Sequence, residues 1–321
     1  MTFQTSIQSE LAHFDKVFPK AFASHVPLLN VILKYAIKKK GKRLRPALVF
    51  LMAKALNGSV SERSTRAATL VELMHTATLV HDDVVDQSLL RRGSYSIQAL
   101  WQKKVAVLVG DYMLSRVLLL AVEHKDHDLL GHVSQAVKAM SEGELLQIAK
   151  ARRLDIDEAV YEDVIRQKTA SLMAACCVAG AASVDADEVA QAMARAFGEA
   201  LGMAFQIQDD LLDFDRFATT GKPTGIDLKE QKMTLPLIHA LSMANASQRR
   251  EMVGIVKKKN NDPRAVASLM STVVELGGVR YAVKRMRQWQ DEALTHLQAL
   301  PDSASKESLK ALVDFVASRR S

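Results

Sequence analysis

The stretch ERSTRAATLVELMHTATLVHDDVVD, running from Glu62 to Asp86, decides the fold class. It holds no proline or glycine, shows no sustained apolar–polar alternation and ends in an acidic cluster, so it reads as one long helix. The same character extends outward. No proline occurs between Pro46 and Pro223, glycine numbers only 14 in 321 residues, and 48% of the chain is hydrophobic. Nothing resembles a linker, so residues 1–321 are expected to form a single large all-α domain. Helices are predicted at 62–86, 97–123, 126–149, 157–182 and 186–214. One or two precede them between 6 and 38, broken near Pro27, and another resumes after Arg45-Pro46. A polar loop is expected at 87–94 and another at 216–227. Shorter helices follow, one with a core stripe of Val279, Ala282, Val283, Met286, Ala293 and Leu297.

The acidic cluster His81-Asp82-Asp83-Val84-Val85-Asp86 has a counterpart in Gln208-Asp209-Asp210-Leu211-Leu212-Asp213. In each, the first and last aspartates are four residues apart and project from one side of a helix. Like charges at that spacing repel, and neither cluster contains a neutralising cation. The plain alternative is a solvated helix face. Against it stand the apolar flanks, Leu79-Val80, Phe205-Gln206-Ile207 and Leu211-Leu212, because carboxylates set in apolar helix are costly unless paired or metal-bound. Two such clusters point to divalent cations. An oxygen-only donor set with room for phosphate oxygens favours Mg²⁺ over zinc or copper.

The net charge is +7, with basic runs at Lys38-Lys39-Lys40, at Lys42-Arg43, at Lys257-Lys258-Lys259, and at Lys284-Arg285 with Arg287. Aromatic residues make up 5% of the chain, and no nucleic-acid motif accompanies these runs. They argue instead for an anionic small substrate, with at most loose attraction to an anionic membrane surface. The N-terminus MTFQTSIQSELAHFDK is polar, and the longest uncharged run, Ser171 to Val184, is too short to span a bilayer. The two cysteines, Cys176 and Cys177, are adjacent inside that run and fit packing in a reducing compartment. A cytoplasmic location is expected.

Basic residues supply the second half of a phosphate site. Lys42 and Arg45 stand three apart beside a helix start, and His75 lies seven residues before Asp82 on the same face. Arg91 and Arg92 follow the first cluster by a short loop. Lys168-Thr169, Gln206, Lys222 and Lys232 lie around the second. Taken singly, each lysine reads as a surface residue.

These segments together resemble a known family. GKRLRP from Gly41 to Pro46, HTATLVHDDVVDQSLLRRG from His75 to Gly93 and VGDYM at 109–113 are similar to motifs of the trans-prenyltransferases. So are EGELLQ at 142–147, KTASL at 168–172, FQIQDDLLDF at 205–214 and GKPTGIDLKEQKMTLP from Gly221 to Pro236. The likeness runs in order from about residue 10 to the end and is nearest to the long-chain polyprenyl diphosphate synthases, such as octaprenyl diphosphate synthases. It implies an isoprenoid-synthase helical bundle with a central active-site cavity, and condensation of isopentenyl diphosphate with an allylic diphosphate. It also implies about two to three Mg²⁺ ions, with Asp82, Asp86 and Asp209 as main ligands supported by Asp83, Asp210 and Asp213. Arg91, Lys168, Thr169, Gln206, Lys222 and Lys232 match positions on the allylic diphosphate; Lys42, Arg45, His75 and Arg92 match the isopentenyl diphosphate site. Of these, Asp82, Asp86, Lys168, Asp209, Lys222 and Lys232 are the expected catalytic set. A homodimer is implied by the same likeness. The chain departs at Lys40 and Gln231, where the family often has glycine.

Ala77 and Thr78, five and four residues before Asp82, occupy positions where short-chain members often carry an aromatic. Their small size leaves room for a growing chain toward Leu73 and Leu70, so a long all-trans product is expected. The alternatives are a shorter-chain farnesyl or geranylgeranyl synthase and one subunit of a heteromeric synthase. A terpene cyclase needs no second diphosphate site, and the Lys42, Arg45, His75 and Arg92 set argues against it.

Overall fold

A proline-poor chain with few glycines has little to interrupt helical hydrogen bonding, and the computed structural model is helical almost throughout. It describes residues 2–38, 41–91, 93–151, 157–214 and 226–318. A 3₁₀ turn at Thr2–Ile7 leads into α1 (Gln8–Val17), and another at Phe18–Lys20 precedes α2 (Pro27–Lys38). Then come α3 (Leu44–Asn57) and α4 (Glu62–Val85). A small antiparallel hairpin, β1 (Leu90–Arg91) and β2 (Ser94–Tyr95), separates α4 from α5 (Ile97–Glu123). Next are α6 (His127–Ala151), α7 (Glu158–Ile165), a π-helical turn at Arg166–Ala170, α8 (Ser171–Ala182) and α9 (Glu188–Leu212). The remainder comprises α10 (Ile226–Lys229), α11 (Leu235–Met243), α12 (Ala246–Lys258), α13 (Pro263–Glu275), α14 (Gly278–His296) and α15 (Ala304–Ser318).

The chain divides into two compact units. The first holds Met1–Gln135, Ala175–Arg195 and Leu300–Leu309, and the second Ala136–Ala174, Ala196–Ala299 and Lys310–Ser321. The chain passes from one to the other within α6, α8, α9 and α15, and once between helices, from Ala299 to Leu300.

In the first unit α3 is the core helix, with every residue from Ala47 to Ala53 fully buried. Phe14, Phe18 and Phe22 cluster beside its Phe50, with centroids of Phe14 and Phe18 5.0 Å apart and of Phe14 and Phe50 6.2 Å apart. α4 starts with a reciprocal cap: Ser61 Oγ accepts from the Ser64 N–H at 3.2 Å, and Ser64 Oγ accepts from the Ser61 N–H at 3.2 Å. α4 packs along α5 with help from Gly110, where a Cβ would lie 2.2 Å from His81 Nε2. α5 is long and apolar enough to cross a membrane, with mean hydropathy 1.9, and only 33% of its apolar window is buried within the chain.

In the second unit, glycines bring α9 close to the preceding helix. A Cβ on Gly198 would meet Ala174 Cα at 2.6 Å, and one on Gly202 would meet Ala170 Cα at 2.4 Å. α14 approaches α11 in the same way, Gly278 lying against the Pro236 carbonyl. The predicted stripe on α14 is present: Ala282, Met286, Ala293 and Leu297 are buried, with Val279 and Val283 half-buried.

Two differences from the sequence expectations have local causes. The helix expected over 157–182 is interrupted by the π-helical turn, which inserts a wide turn where Lys168 and Thr169 sit. The polar loop expected at 87–94 contains the hairpin, its turn aided by Gly93 at φ +69° and its ends tied by Ser96 Oγ donating to the Ser88 carbonyl at 2.7 Å. The loop expected at 216–227 lies outside the described residues up to 225.

Candidate active site

Within the first unit, the aspartate triplet of α4 splits. Asp82 is half-buried and Asp86 exposed at the helix end, where its N–H donates to the Asp82 carbonyl at 2.8 Å. Asp83, about 100° round the helix, is turned inward and is 4% exposed. Arg91 Nε donates to Asp83 Oδ1 at 2.6 Å, and Gln98 Nε2 donates to the Asp83 main-chain carbonyl and, at 2.9 Å, to that of Ser88. Burial raises the Asp83 pKa, the Arg91 guanidinium works against that rise, and the Asp86 charge adds to it. Asp83 therefore fixes Arg91 and the hairpin beneath the outward pair.

His75 is buried two turns before Asp82, and Ala77 is fully buried. Thr78 Oγ1 donates to the His75 carbonyl at 2.9 Å, so its methyl group faces away from that bond. Lys42 is exposed and Arg45 half-buried, and Gln4 Nε2 donates to the Lys42 carbonyl at 2.8 Å. Arg92 lies outside the described residues.

The second unit repeats the split. Asp209 is exposed and Asp213 half-buried just past the end of α9, whereas Asp210 is 6% exposed. Asp210 accepts from Tyr161 Oη at 2.8 Å, from Gln206 Nε2 at 3.0 Å and from the Leu235 N–H at 3.4 Å. Burial first, and then the Asp227 charge, push the Asp210 carboxyl up to about 7, against the opposing hydrogen bonds from Gln206 and Tyr161. Thr169 Oγ1 donates to Gln206 Oε1 at 2.8 Å, so Thr169, Gln206, Asp210 and Tyr161 form one chain of hydrogen bonds. The π-helical turn brings Thr169 into it. Lys168, on the same turn, pairs with Glu144 Oε2 at 2.5 Å and Gln147 Oε1 at 2.9 Å.

Asp213 accepts from the Asp227 N–H at 3.2 Å, joining the end of α9 to α10. Lys232 pairs with Glu230 Oε2 at 2.6 Å and reaches Asp227 Oδ1 at 3.4 Å; these carboxylates hold its pKa above the usual lysine value despite the cost of burial. Lys222 lies outside the described residues.

Asp83 and Asp210 were expected to support the main metal ligands. Both are buried and engaged by protein donors, because the second residue of a DDxxD turns toward the core when the first and last, four apart, face outward. Sequence reasoning missed their partners Tyr161 and Gln98, as well as Asp227 beside Asp213 and Lys232, and Glu144 and Gln147 beside Lys168. Glu144 and Gln147 lie within EGELLQ, and Asp227 within GKPTGIDLKEQK, so the motifs held a signal for these three. Tyr161 carried none.

The outward carboxylates form an oxygen-only donor set suited to Mg²⁺. Among the described residues, no three His, Cys, Asp or Glu side chains converge as a ready metal cluster. The pairs Asp82/Asp86 and Asp209/Asp213 leave coordination positions for non-protein oxygens, as a metal bound together with a phosphate requires.

The polyprenyl synthetase family profile matches residues 26–273. The chain is 34% identical to an octaprenyl diphosphate synthase of Escherichia coli over 97% of its length and 96% of that protein's. A polyprenyl synthase of Caulobacter crescentus, solved with calcium and isoprenyl diphosphate, superposes with a TM-score of 0.92 at 31% identity, covering 100% of this chain and 98% of that one. A geranylgeranyl pyrophosphate synthase of Bacteroides thetaiotaomicron gives 0.84 at 37% identity, covering 99% and 98%.

Proposed function

We propose that this chain, which belongs to the polyprenyl synthetase family and is a prenyltransferase, extends an allylic diphosphate by repeated condensation with isopentenyl diphosphate to a long all-trans polyprenyl diphosphate, releasing diphosphate at each step. The observation that carries the assignment is the split of each aspartate triplet into an outward pair and an inward anchor.

The barrier to this reaction is charge separation as diphosphate leaves an allylic carbon. Mg²⁺ ions, two to three in our reading, would supply Lewis-acid stabilisation of the leaving group. Asp82, Asp86 and Asp209 would hold them, with Asp213 steadying the far end of α9. Asp83 holds Arg91, and Asp210 holds Gln206, so each inward carboxylate orients a side chain that meets the allylic diphosphate. Lys168 is held in place by its ion pair with Glu144, and Asp227 and Glu230 keep Lys232 charged. Lys222 and Arg92 complete the two anion sites in the same proposal. Lys42, Arg45 and His75 orient isopentenyl diphosphate so that its double bond meets the allylic carbon. The cation that forms is quenched by loss of a proton, for which the departing diphosphate is the base, and no side-chain nucleophile takes part.

The small Ala77 and Thr78 favour a long product. A shorter product is the second reading, favoured by the 37% identity to a geranylgeranyl pyrophosphate synthase. Outward-facing Leu108, Leu118, Leu119 and Val122 on α5, between 48% and 59% exposed, support a homodimer closed over that helix. The enzyme would act in the cytoplasm.

Asp82→Ala and Asp209→Ala test the assignment. Each is expected to lower kcat by about 10²–10³-fold while leaving Tm near that of the wild type, and EDTA should abolish wild-type turnover until Mg²⁺ is restored. Turnover by Asp82→Ala close to that of the wild type, or turnover in EDTA, would overturn it.

A further inference from the structure

Arg43 lies between Lys42 and Arg45, the two cations read above as holding isopentenyl diphosphate, yet its side chain is directed elsewhere. Its Nε and Nη2 lie 3.1 and 3.0 Å from Asp15 Oδ1, and its Nη1 lies 2.9 Å from Glu72 Oε1. The guanidinium carbon sits 5.5 Å from the centroids of both Phe14 and Phe18, and the side chain is 13% exposed. One residue therefore ties together α1 through Asp15 and Phe14, the 3₁₀ turn through Phe18, and α4 through Glu72. Its backbone is left-handed, with φ +50° and ψ +36°, at the residue immediately before α3, a conformation that a residue with a Cβ holds only when its surroundings impose it.

We propose that Arg43 is a positioning residue for the isopentenyl diphosphate site. Its fork, locked on Asp15 and Glu72, sets the turn from which Lys42 projects and the first turn of α3, where Arg45 stands. Glu72 is three residues before His75 on α4, so the same lock references His75 to the two cations. Gln4, whose side chain donates to the Lys42 carbonyl at 2.8 Å, braces the loop from the N-terminal segment. That segment is anchored to α3 by Lys54, which pairs with Glu10 at 2.6 Å and donates to the Ser6 carbonyl at 2.7 Å. Charge alone does not fill this role, because the geometry needs a planar fork that meets two carboxylates at once. The inference rests on Lys42, Arg45 and His75 serving isopentenyl diphosphate.

The test measures isopentenyl diphosphate binding by calorimetry on the full-length protein, beside KM for both substrates, kcat and Tm. The variants are Arg43→Lys, Arg43→Gly, Asp15→Asn and Glu72→Gln. Arg43→Lys keeps the charge and loses the fork; Arg43→Gly also relieves the backbone. Both are expected to weaken isopentenyl diphosphate binding by about tenfold or more, with the allylic KM nearly unchanged. Asp15→Asn and Glu72→Gln should weaken it in the same direction by less, and they retain Arg43 should its replacement prevent folding. In the Arg43→Gly background, Glu72→Gln should add nothing. If Arg43 were itself a phosphate ligand, freeing it by Asp15→Asn or Glu72→Gln would tighten binding, and that result overturns the proposal. Equal losses in both substrates' KM with a lowered Tm, or unchanged binding, overturn it as well. A wild type that binds isopentenyl diphosphate without turning it over defeats the functional reading alone and leaves the Arg43 comparison decisive; a wild type that does not bind it defeats both.

Discussion

Gln231 holds a left-handed backbone at φ +58° in the turn that delivers Lys232. Its N–H donates to the Leu228 carbonyl at 3.1 Å, and the Lys232 N–H donates to that of Asp227 at 2.8 Å, so the turn is fixed from both sides. A side chain with a Cβ is strained there, whereas glycine is not. Gln231→Gly is therefore expected to raise stability by about 0.5–1 kcal/mol, measured by urea denaturation, with Lys232 still paired to Asp227 and Glu230. A loss of stability would show that the Gln231 side chain contributes more than its backbone costs. At this scale the sequence was readable where chemistry repeats at helical spacing. Asp82 with Asp86 and Asp209 with Asp213 could be read as outward pairs, since four residues make little more than a turn. What holds Asp210 could not be read, because Tyr161 is 49 positions away and no local pattern joins them.

At the scale of elements, the long helices were legible because proline and glycine stop them so rarely. α5 begins and ends where the sequence placed it, at 97 and 123, but its backbone breaks from helical geometry at Gln102 (φ +71°), and α4 ends one residue short of Asp86. The π-helical turn at Arg166–Ala170 was not legible: RQKTA has ordinary helical residues, and the wider turn forms where α9 packs against it. Gly202 permits that packing. Gly202→Ala would set a Cβ 2.4 Å from Ala170 Cα, forcing α9 away from the turn that carries Lys168 and Thr169. The expected result is a loss of about 1–3 kcal/mol in stability together with a raised allylic KM; an unchanged Tm would mean that the two helices separate without strain. On α4, Ala77 is fully buried one turn below the aspartates. Ala77→Phe adds bulk there and is expected to shorten the product, seen by mass spectrometry, with at most about 1–3 kcal/mol of lost stability. An unchanged product distribution would remove Ala77 from the control of chain length.

For the whole molecule, composition already indicated an all-α protein, and the structure is one. The division into two compact units was not legible, because four of the five changes of unit fall inside helices, where composition gives no sign. The first unit carries Lys42, Arg45, His75, Asp82 and Asp86, and the second Lys168, Gln206, Asp209 and Lys232. The +7 charge suits two diphosphate substrates and needs no nucleic-acid partner to explain it. The most direct measurement incubates the purified protein with isopentenyl diphosphate, farnesyl diphosphate and Mg²⁺ and sizes the products by mass spectrometry. The expected result is a ladder in five-carbon steps that ends at one long all-trans product. A ladder stopping at a short product would contradict the chain-length assignment, and no Mg²⁺-dependent product from either farnesyl or geranyl diphosphate would contradict the elongation reaction itself.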